Sequence, residues 1–291
     1  MEPGSGQPPL VVIVGQTASG KSDLAIKLAL HFNGEIIAAD SRTVYRGLNI
    51  GTAKPTANEQ KLVKHHLIDV VDPTTTFSAA NFKRLANAAI ADVANRGKLP
   101  ILVGGTGLYV DAVIYDFQFR GPADPDIRHE LERLDVAQLQ ARLRGRGIPL
   151  PSNSQNPRHL IRALETGGEP GTRKALRPNT LVLGLMPDPE VLRKRIAKRV
   201  DGMVEHGLVD EVRTMAGRYG WDAPGLQAPA YKAFRPYVEG NDSFEDAKNR
   251  FIQYDWQYAR RQKTWFKRNG DIVWISKTEE AVDLVTTLLN K

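Results

Sequence analysis

The chain has 291 residues and a mass of 32.2 kDa, with 41% hydrophobic and 25% charged residues, the mixture of a folded globular protein rather than a disordered or fibrous one. It contains no cysteine, which excludes disulfides, thiolate metal sites, iron–sulfur clusters and cysteine nucleophiles and leaves the cytoplasm as the expected compartment. Its longest aliphatic runs, such as Leu10–Val14, hold about five residues where a bilayer span needs roughly 20, and MEPGSGQPPL has neither the basic nor the apolar segment of a signal peptide. The net charge is +7.

Leu10–Val14 reads as a buried strand, followed by GQTASGKS and then by SDLAIKLALHF at helical spacing. Glu35–Ala39 repeats the strand pattern and ends at Asp40; His66–Val71 is a third apolar stretch, closed by Asp72-Pro73. Phe77–Arg96 reads as a helix with Ser78 as N-cap. Leu99–Val103 is a further buried strand ending in Gly104-Gly105-Thr106-Gly107. This alternation predicts an α/β fold, a P-loop NTPase-like parallel sheet covered on both faces. From 121 to 178 the sequence is helical, Arg-rich and interrupted by Gly and Pro; it is read as a helical insertion, with 1–120 and 179–291 forming the core. A long helical connection within one domain is the alternative. Strand character resumes at Thr180–Leu185, and a helix over Glu190–Glu205 follows.

The positive charge is localised. Residues 142–178 carry eight Arg/Lys against two Glu, and residues 248–268 carry seven against one Asp, leaving the remainder net acidic. Such clustering favours a polyanionic partner over a solvated basic face. In 248–268 the basic residues alternate with aromatics, a composition suited to RNA. Phe251, Tyr254 and Tyr258, at i, i+3 and i+7, are read as a buried stripe, and Arg260, Arg261 and Lys263 as phosphate contacts.

Gly15-x4-Gly20-Lys21-Ser22 between a strand and a helix is a phosphate-binding loop. Its glycines permit a backbone whose N–H groups point at phosphate oxygens, the helix presents its positive end, Lys21 adds a cation, and Ser22 supplies a hydroxyl to Mg²⁺. The chain is expected to bind a di- or triphosphate ester. A hydrolase usually carries an acid closing a second strand; Gly-Gly-Thr-Gly closes Leu99–Val103 instead and only Asp40 and Asp69 are strand-end acids, which weakens ATP or GTP hydrolysis without excluding it. Asp40, on the sheet edge where ligands of open α/β sheets bind, is open to three roles: magnesium ligand, general base or turn acid. Ser41, Arg42 and Thr43 are positioned to donate to a second substrate. Thr106 either contacts substrate or shapes its turn.

VGQTASGKS, ADSRTVY at 39–45, GTAKP at 51–55, HHLIDVVDP at 65–73, FSAANF at 77–82, GGTGLY at 104–109, RHLIRALE at 158–165, MPDPEVLRKRI at 186–196, HGLVDEVR at 206–213 and YARRQKTWFKR at 258–268 together resemble the tRNA dimethylallyltransferase (isopentenyltransferase) family, over roughly residues 10–275. The resemblance implies transfer of a dimethylallyl group from dimethylallyl diphosphate to N6 of adenosine 37, in tRNAs reading codons that start with U. It implies that Gly15, Gln16, Thr17, Ala18, Ser19, Gly20, Lys21 and Ser22 hold the diphosphate with Mg²⁺ and with Arg213. Asp40 would be the base and Thr106 a contact to the substrate nucleotide. Asp40, Ser41, Arg42 and Thr43 on the acceptor side, with Arg128, Arg158, His159, Leu160, Ile161, Arg162, Arg260, Arg261 and Lys263, would touch the anticodon stem-loop.

The chain departs from the family pattern at Gln16, usually Pro, at Thr43, commonly Gln, and at Ala230, usually Gly. Without cysteine it has no zinc finger of the eukaryotic type, and a bacterial-type enzyme is expected. It is expected to act as a monomer, with no membrane partner. The rival readings are an isopentenyltransferase acting on free adenylate and a P-loop small-molecule kinase.

Overall fold

The computed structural model describes residues 6–120, 124–169 and 171–290. In chain order these form β1 (Leu10–Gly15), α1 (Lys21–His31), β2 (Gly34–Ala38), α2 (Ala57–Leu62), β3 (His65–His66), α3 (Ala79–Asn95), β4 (Leu99–Gly104), α4 (Gly107–Ile114), α5 (Pro125–Glu132), α6 (Val136–Gly145), α7 (Pro157–Thr166), β5 (Thr180–Leu185), α8 (Pro189–Glu205), α9 (Leu208–Tyr219), α10 (Pro229–Val238), α11 (Phe244–Phe266), β6 (Ile272–Ile275) and α12 (Thr278–Leu289). The six strands make one sheet in the order β3-β2-β4-β1-β5-β6, and every pairing is parallel.

Every residue of β1 and β4 is buried, which is why both read as unbroken apolar runs rather than alternating ones. Leu24, Leu28, Ala281 and Val285, from α1 and α12, pack with Val11 and Ile13. Phe82, Ala86, Ile90 and Val93 form the buried stripe of α3, which packs against β2 and β4. Ser78 caps α3 as expected, its hydroxyl accepting from Asn81 N at 3.1 Å. A second apolar cluster joins Val200, Leu208, Val212, Tyr231, Phe234 and Phe251 from α8 to α11.

The expected strand over His66–Val71 is cut to His65–His66. Leu67 and Asp69 take φ of +62° and +55°, and left-handed backbone cannot continue a ladder; only Val71 returns, in a single bridge with Tyr45. The strand expected over Glu35–Ala39 ends at Ala38, so Asp40 stands in the loop beyond it. Asp188 caps α8 through its side chain, and the helix begins at Pro189, one residue before the expected start.

Residues Asp116–Ala175 make a separate compact unit, and Met1–Tyr115 with Leu176–Lys291 make the other. The smaller unit has its own core of Leu131, Leu139, Leu143, Leu160, Ile161 and Leu164. No helix among the described residues is long and apolar enough to cross a membrane.

Candidate active site

The loop after β1, the loop after β2 and the turn after β4 leave the sheet at its carboxyl edge. Because β4 lies between β1 and β2, the Thr106 turn sits between the phosphate loop and Asp40. A cavity of about 750 Å³ opens there; its lining includes the phosphate loop, Asp40, Arg42, Thr43, residues 51–55 and, from α8 and α11, Arg195, Arg199 and Tyr258.

The phosphate loop has the backbone its glycines predict. Gly20, at φ +93°, caps α1, and a side chain at Gly15 would meet Leu185 O at 2.6 Å. Lys21 donates to Gln16 O at 2.8 Å, and burial pushes its amine down to about 8. On the far side, Arg195 donates to Ser19 O at 3.3 Å, and Arg199 pairs with Asp255, whose carboxyl is pushed upward by burial. The arrangement gathers three cations at the amino end of α1, a site for a strongly anionic group.

Asp40 Oδ1 accepts from the backbone N–H of Arg42 at 2.7 Å and of Thr43 at 3.3 Å. It is therefore a turn acid through one oxygen, and among the described residues no donor engages Oδ2. Thr106 Oγ1 accepts from Ser41 N at 3.1 Å, so this hydroxyl shapes the turn and ties it to the Asp40 loop. Thr43 is buried, and its hydroxyl finds no partner among the described residues. Arg42 reaches Pro224 O at 3.4 Å. Residues 49–51 are fixed by Glu211, whose carboxylate accepts three consecutive backbone N–H groups and the Tyr231 hydroxyl. Lys54 is anchored by Tyr45 O and Asp69. Ala230 is fully buried in the first turn of α10.

Three expectations need correction. Arg213 is not brought to the cavity: it lies on the exposed face of α9, 3.5 Å from Asp210 and over the Tyr237 ring. Arg195 and Arg199, on the face of α8 turned toward the phosphate loop, stand where Arg213 was expected; sequence spacing gave only a basic helix there. Leu160 and Ile161, expected to touch RNA, are 0% and 4% exposed and form the core of the smaller unit. The aromatic stripe of α11 divides: Phe251 is core and Tyr254 packs at its edge, while Tyr258 lies outside that cluster and borders the cavity together with Phe251.

Arg158, His159, Arg260 and Arg261 are exposed, and Lys263 is half-buried. Arg128 and Arg162 both pair with the Glu165 carboxylate, at 2.9 and 3.2 Å, and Arg142 pairs with Glu130. Part of the positive charge of 142–178 is thus neutralised within its own unit.

A magnesium ion fits this donor set in one way. Ser22, at the amino end of α1, would hold it through its hydroxyl beside a bound diphosphate, where the ion would supply positive charge to the phosphate oxygens.

A family model described as IPP transferase matches residues 43–269. The tRNA dimethylallyltransferase of Roseiflexus sp. (strain RS-1) is 46% identical, the match covering 91% of this chain and 92% of that one. That of Staphylococcus aureus (strain Newman) is 40% identical, covering 96% of each. Among solved structures, the tRNA isopentenylpyrophosphate transferase of Bacillus halodurans superposes with a TM-score of 0.76 at 39% identity over 98% of this chain and 97% of that one. A eukaryotic dimethylallyltransferase acting on tRNA superposes with a TM-score of 0.77 at 28% identity, over 92% of this chain and 74% of that one.

Proposed function

Since the chain belongs to the IPP transferase family, we propose that its cavity transfers the dimethylallyl group of dimethylallyl diphosphate to N6 of adenosine 37 in tRNAs that read codons starting with U, releasing pyrophosphate. The observation that carries this reading is the placement of a three-cation phosphate site after β1 and the Asp40 carboxylate after β2 on one sheet edge, with the Thr106 turn of the intervening β4 between them.

Adenine N6 bonds to the allylic C1 as the C1–O bond breaks, and the electron pair of that bond leaves on the pyrophosphate. Asp40 Oδ2 takes the N6 proton, while Oδ1 stays held by Arg42 and Thr43 N–H and so keeps the carboxylate oriented. Charge accumulates on the departing pyrophosphate, and Lys21, Arg195, Arg199 and the amino end of α1 meet it there. Mg²⁺ held at Ser22 would supply further neutralisation of that charge. The exocyclic amine of a stacked base is out of reach in the anticodon loop, so the adenine is extruded into the cavity.

Exposed Arg158, Arg260 and Arg261 give the RNA backbone cationic contacts, and exposed His159 a polar one. In this reading the enzyme works as a monomer in the cytoplasm, and sedimentation of the full chain checks the first of these. The test of the activity is transfer of label from dimethylallyl diphosphate to an anticodon stem-loop containing A36-A37-A38, run beside free AMP. Label in the RNA alone supports tRNA prenylation. Label in AMP alone supports the adenylate enzyme, and ATP consumption without either product supports a kinase.

A further inference from the structure

The Gln262 side chain is 4% exposed and sits on the inward face of α11, between exposed Arg261 and half-buried Lys263. Both ends of its amide are engaged, each with a different loop of the site. Oε1 accepts from Thr17 N, in the phosphate loop, at 2.7 Å. Nε2 donates to Gly105 O, in the turn after β4, at 2.9 Å. One phosphate-loop N–H is therefore committed to a side chain instead of an anion.

The surroundings are built around this contact. A side chain at Gly105 would lie 2.0 Å from Gln262 Nε2, and one at Gly107 would lie 2.3 Å from the Trp265 ring. Gly105 and Gly107 of GGTG thus admit α11 itself. Trp265 donates to Asp111 at 2.9 Å, and Gln16, where the family commonly has proline, donates to Ala259 O at 3.1 Å. The Tyr258 hydroxyl faces both Thr106 and Gln262, and Thr106 Oγ1 holds Ser41 N beside Asp40. A continuous run of polar contacts therefore joins the loop expected to hold the leaving group to the loop that carries the base.

We propose that Gln262 is a positioning residue for prenyl transfer: it fixes the phosphate loop and the Thr106 turn relative to each other, and so sets the distance between the allylic carbon and the adenine nitrogen. This rests on the prenyl-transfer reading above. Gln262 touches neither substrate; its effect passes through Thr17 and Gly105. A misplacement of about 1 Å between reacting groups lowers a rate by roughly 10²-fold, so loss of this clasp acts on the chemical step.

The experiment compares the full chain with Gln262→Glu, Gln262→Leu and Val285→Ala. A glutamate keeps an oxygen for Thr17 N but sets its other oxygen against Gly105 O, breaking one side of the clasp; leucine breaks both. Val285, fully buried between α12 and the sheet, supplies a destabilised control. Single-turnover prenylation at saturating dimethylallyl diphosphate and stem-loop RNA is measured with RNA dissociation constant and melting temperature. Both Gln262 variants are expected to slow transfer about 10–100-fold, with RNA affinity within about twofold because Arg260 and Arg261 are untouched. Combined with Tyr258→Phe, the loss is expected to be less than the product of the single losses, as for groups of one network. Transfer by Gln262→Glu within twofold of the unaltered chain overturns the proposal, and so does a slowing no larger than that of Val285→Ala at equal loss of melting temperature. No transfer by the unaltered chain overturns the prenyl-transfer reading itself, and this inference with it.

Discussion

Asp40 Oδ1 accepts the backbone N–H of Arg42 at 2.7 Å, and this contact, with the longer one from Thr43 N, leaves Oδ2 to receive a proton. The bond also locks the turn that delivers Ser41 to Thr106, so the base is oriented by the segment it introduces. Asparagine at this position keeps an oxygen for Arg42 N but loses the proton acceptor.

Asp40→Asn is accordingly expected to slow single-turnover prenylation by roughly 10²–10⁴-fold with RNA affinity within about twofold. Filter binding of the stem-loop beside quenched-flow transfer checks the split. A collapse of RNA affinity would make Asp40 a binding residue.

Arg199 and Arg213 give opposite expectations. Arg199→Ala removes a cation from the phosphate site and strands the buried Asp255, a loss on the order of 3 kcal/mol of stability with a weakened hold on dimethylallyl diphosphate. Arg213, half-exposed and 3.5 Å from Asp210, is expected to change stability by less than about 0.5 kcal/mol on substitution by alanine, with transfer unaffected. Urea denaturation and donor titration of the two variants discriminate them.

Lys21 sets a pH dependence. Its folded amine, lowered by burial to about 8 from 10.5, loses its charge as pH rises through that value, whereas a bound diphosphate favours the ammonium. Donor affinity is expected to be flat below pH 7 and to weaken above pH 8, with proton uptake on binding in the alkaline range; calorimetry in two buffers reads it directly. The sign for stability is opposite. Between pH 8 and 10.5 the unfolded chain binds more protons at this site than the folded one, so the contribution of Lys21 to stability rises with pH there.

Glu211→Gln is expected to loosen the 49–51 segment. An amide has one accepting oxygen where the carboxylate offers both of its oxygens to the N–H groups of Asn49, Ile50 and Gly51, and charged hydrogen bonds contribute roughly 1.5–3 kcal/mol each. Tyr231→Phe removes only the fourth partner, a single such bond of roughly 1.5–3 kcal/mol. Hydrogen exchange at residues 49–51 should accelerate in the first variant far more than in the second.

For the basic face, replacing Arg260 or Arg261 with alanine is expected to lower RNA affinity and to reduce the slope of log affinity against log salt by about one each. Leu160→Ala should instead destabilise the smaller unit by roughly 2–5 kcal/mol, since Leu160 is fully buried in its core; a salt titration separates the two classes of effect.

The sequence alone determined what is set by neighbours in the chain. The phosphate loop is a matter of backbone φ at Gly15 and Gly20 and of a helix start, and these are written in eight consecutive residues. The buried parallel strands followed from unbroken apolar runs, and the Ser78 cap from a hydroxyl before an amphipathic stripe. Tertiary structure decided what depends on which surface meets which. The order β2-β4-β1 places Thr106 between Lys21 and Asp40, and no local pattern specifies the order of parallel strands joined by helices. The face of a basic helix that turns inward is fixed by its packing partners; hence Arg195 and Arg199, not Arg213, line the cavity, and Leu160 and Ile161 belong to a core rather than to an RNA contact. Gln262 shows the same limit most plainly. Its neighbours in sequence are two cations, while its partners, Thr17 and Gly105, lie 245 and 157 residues away, reachable only once the sheet and α11 have packed.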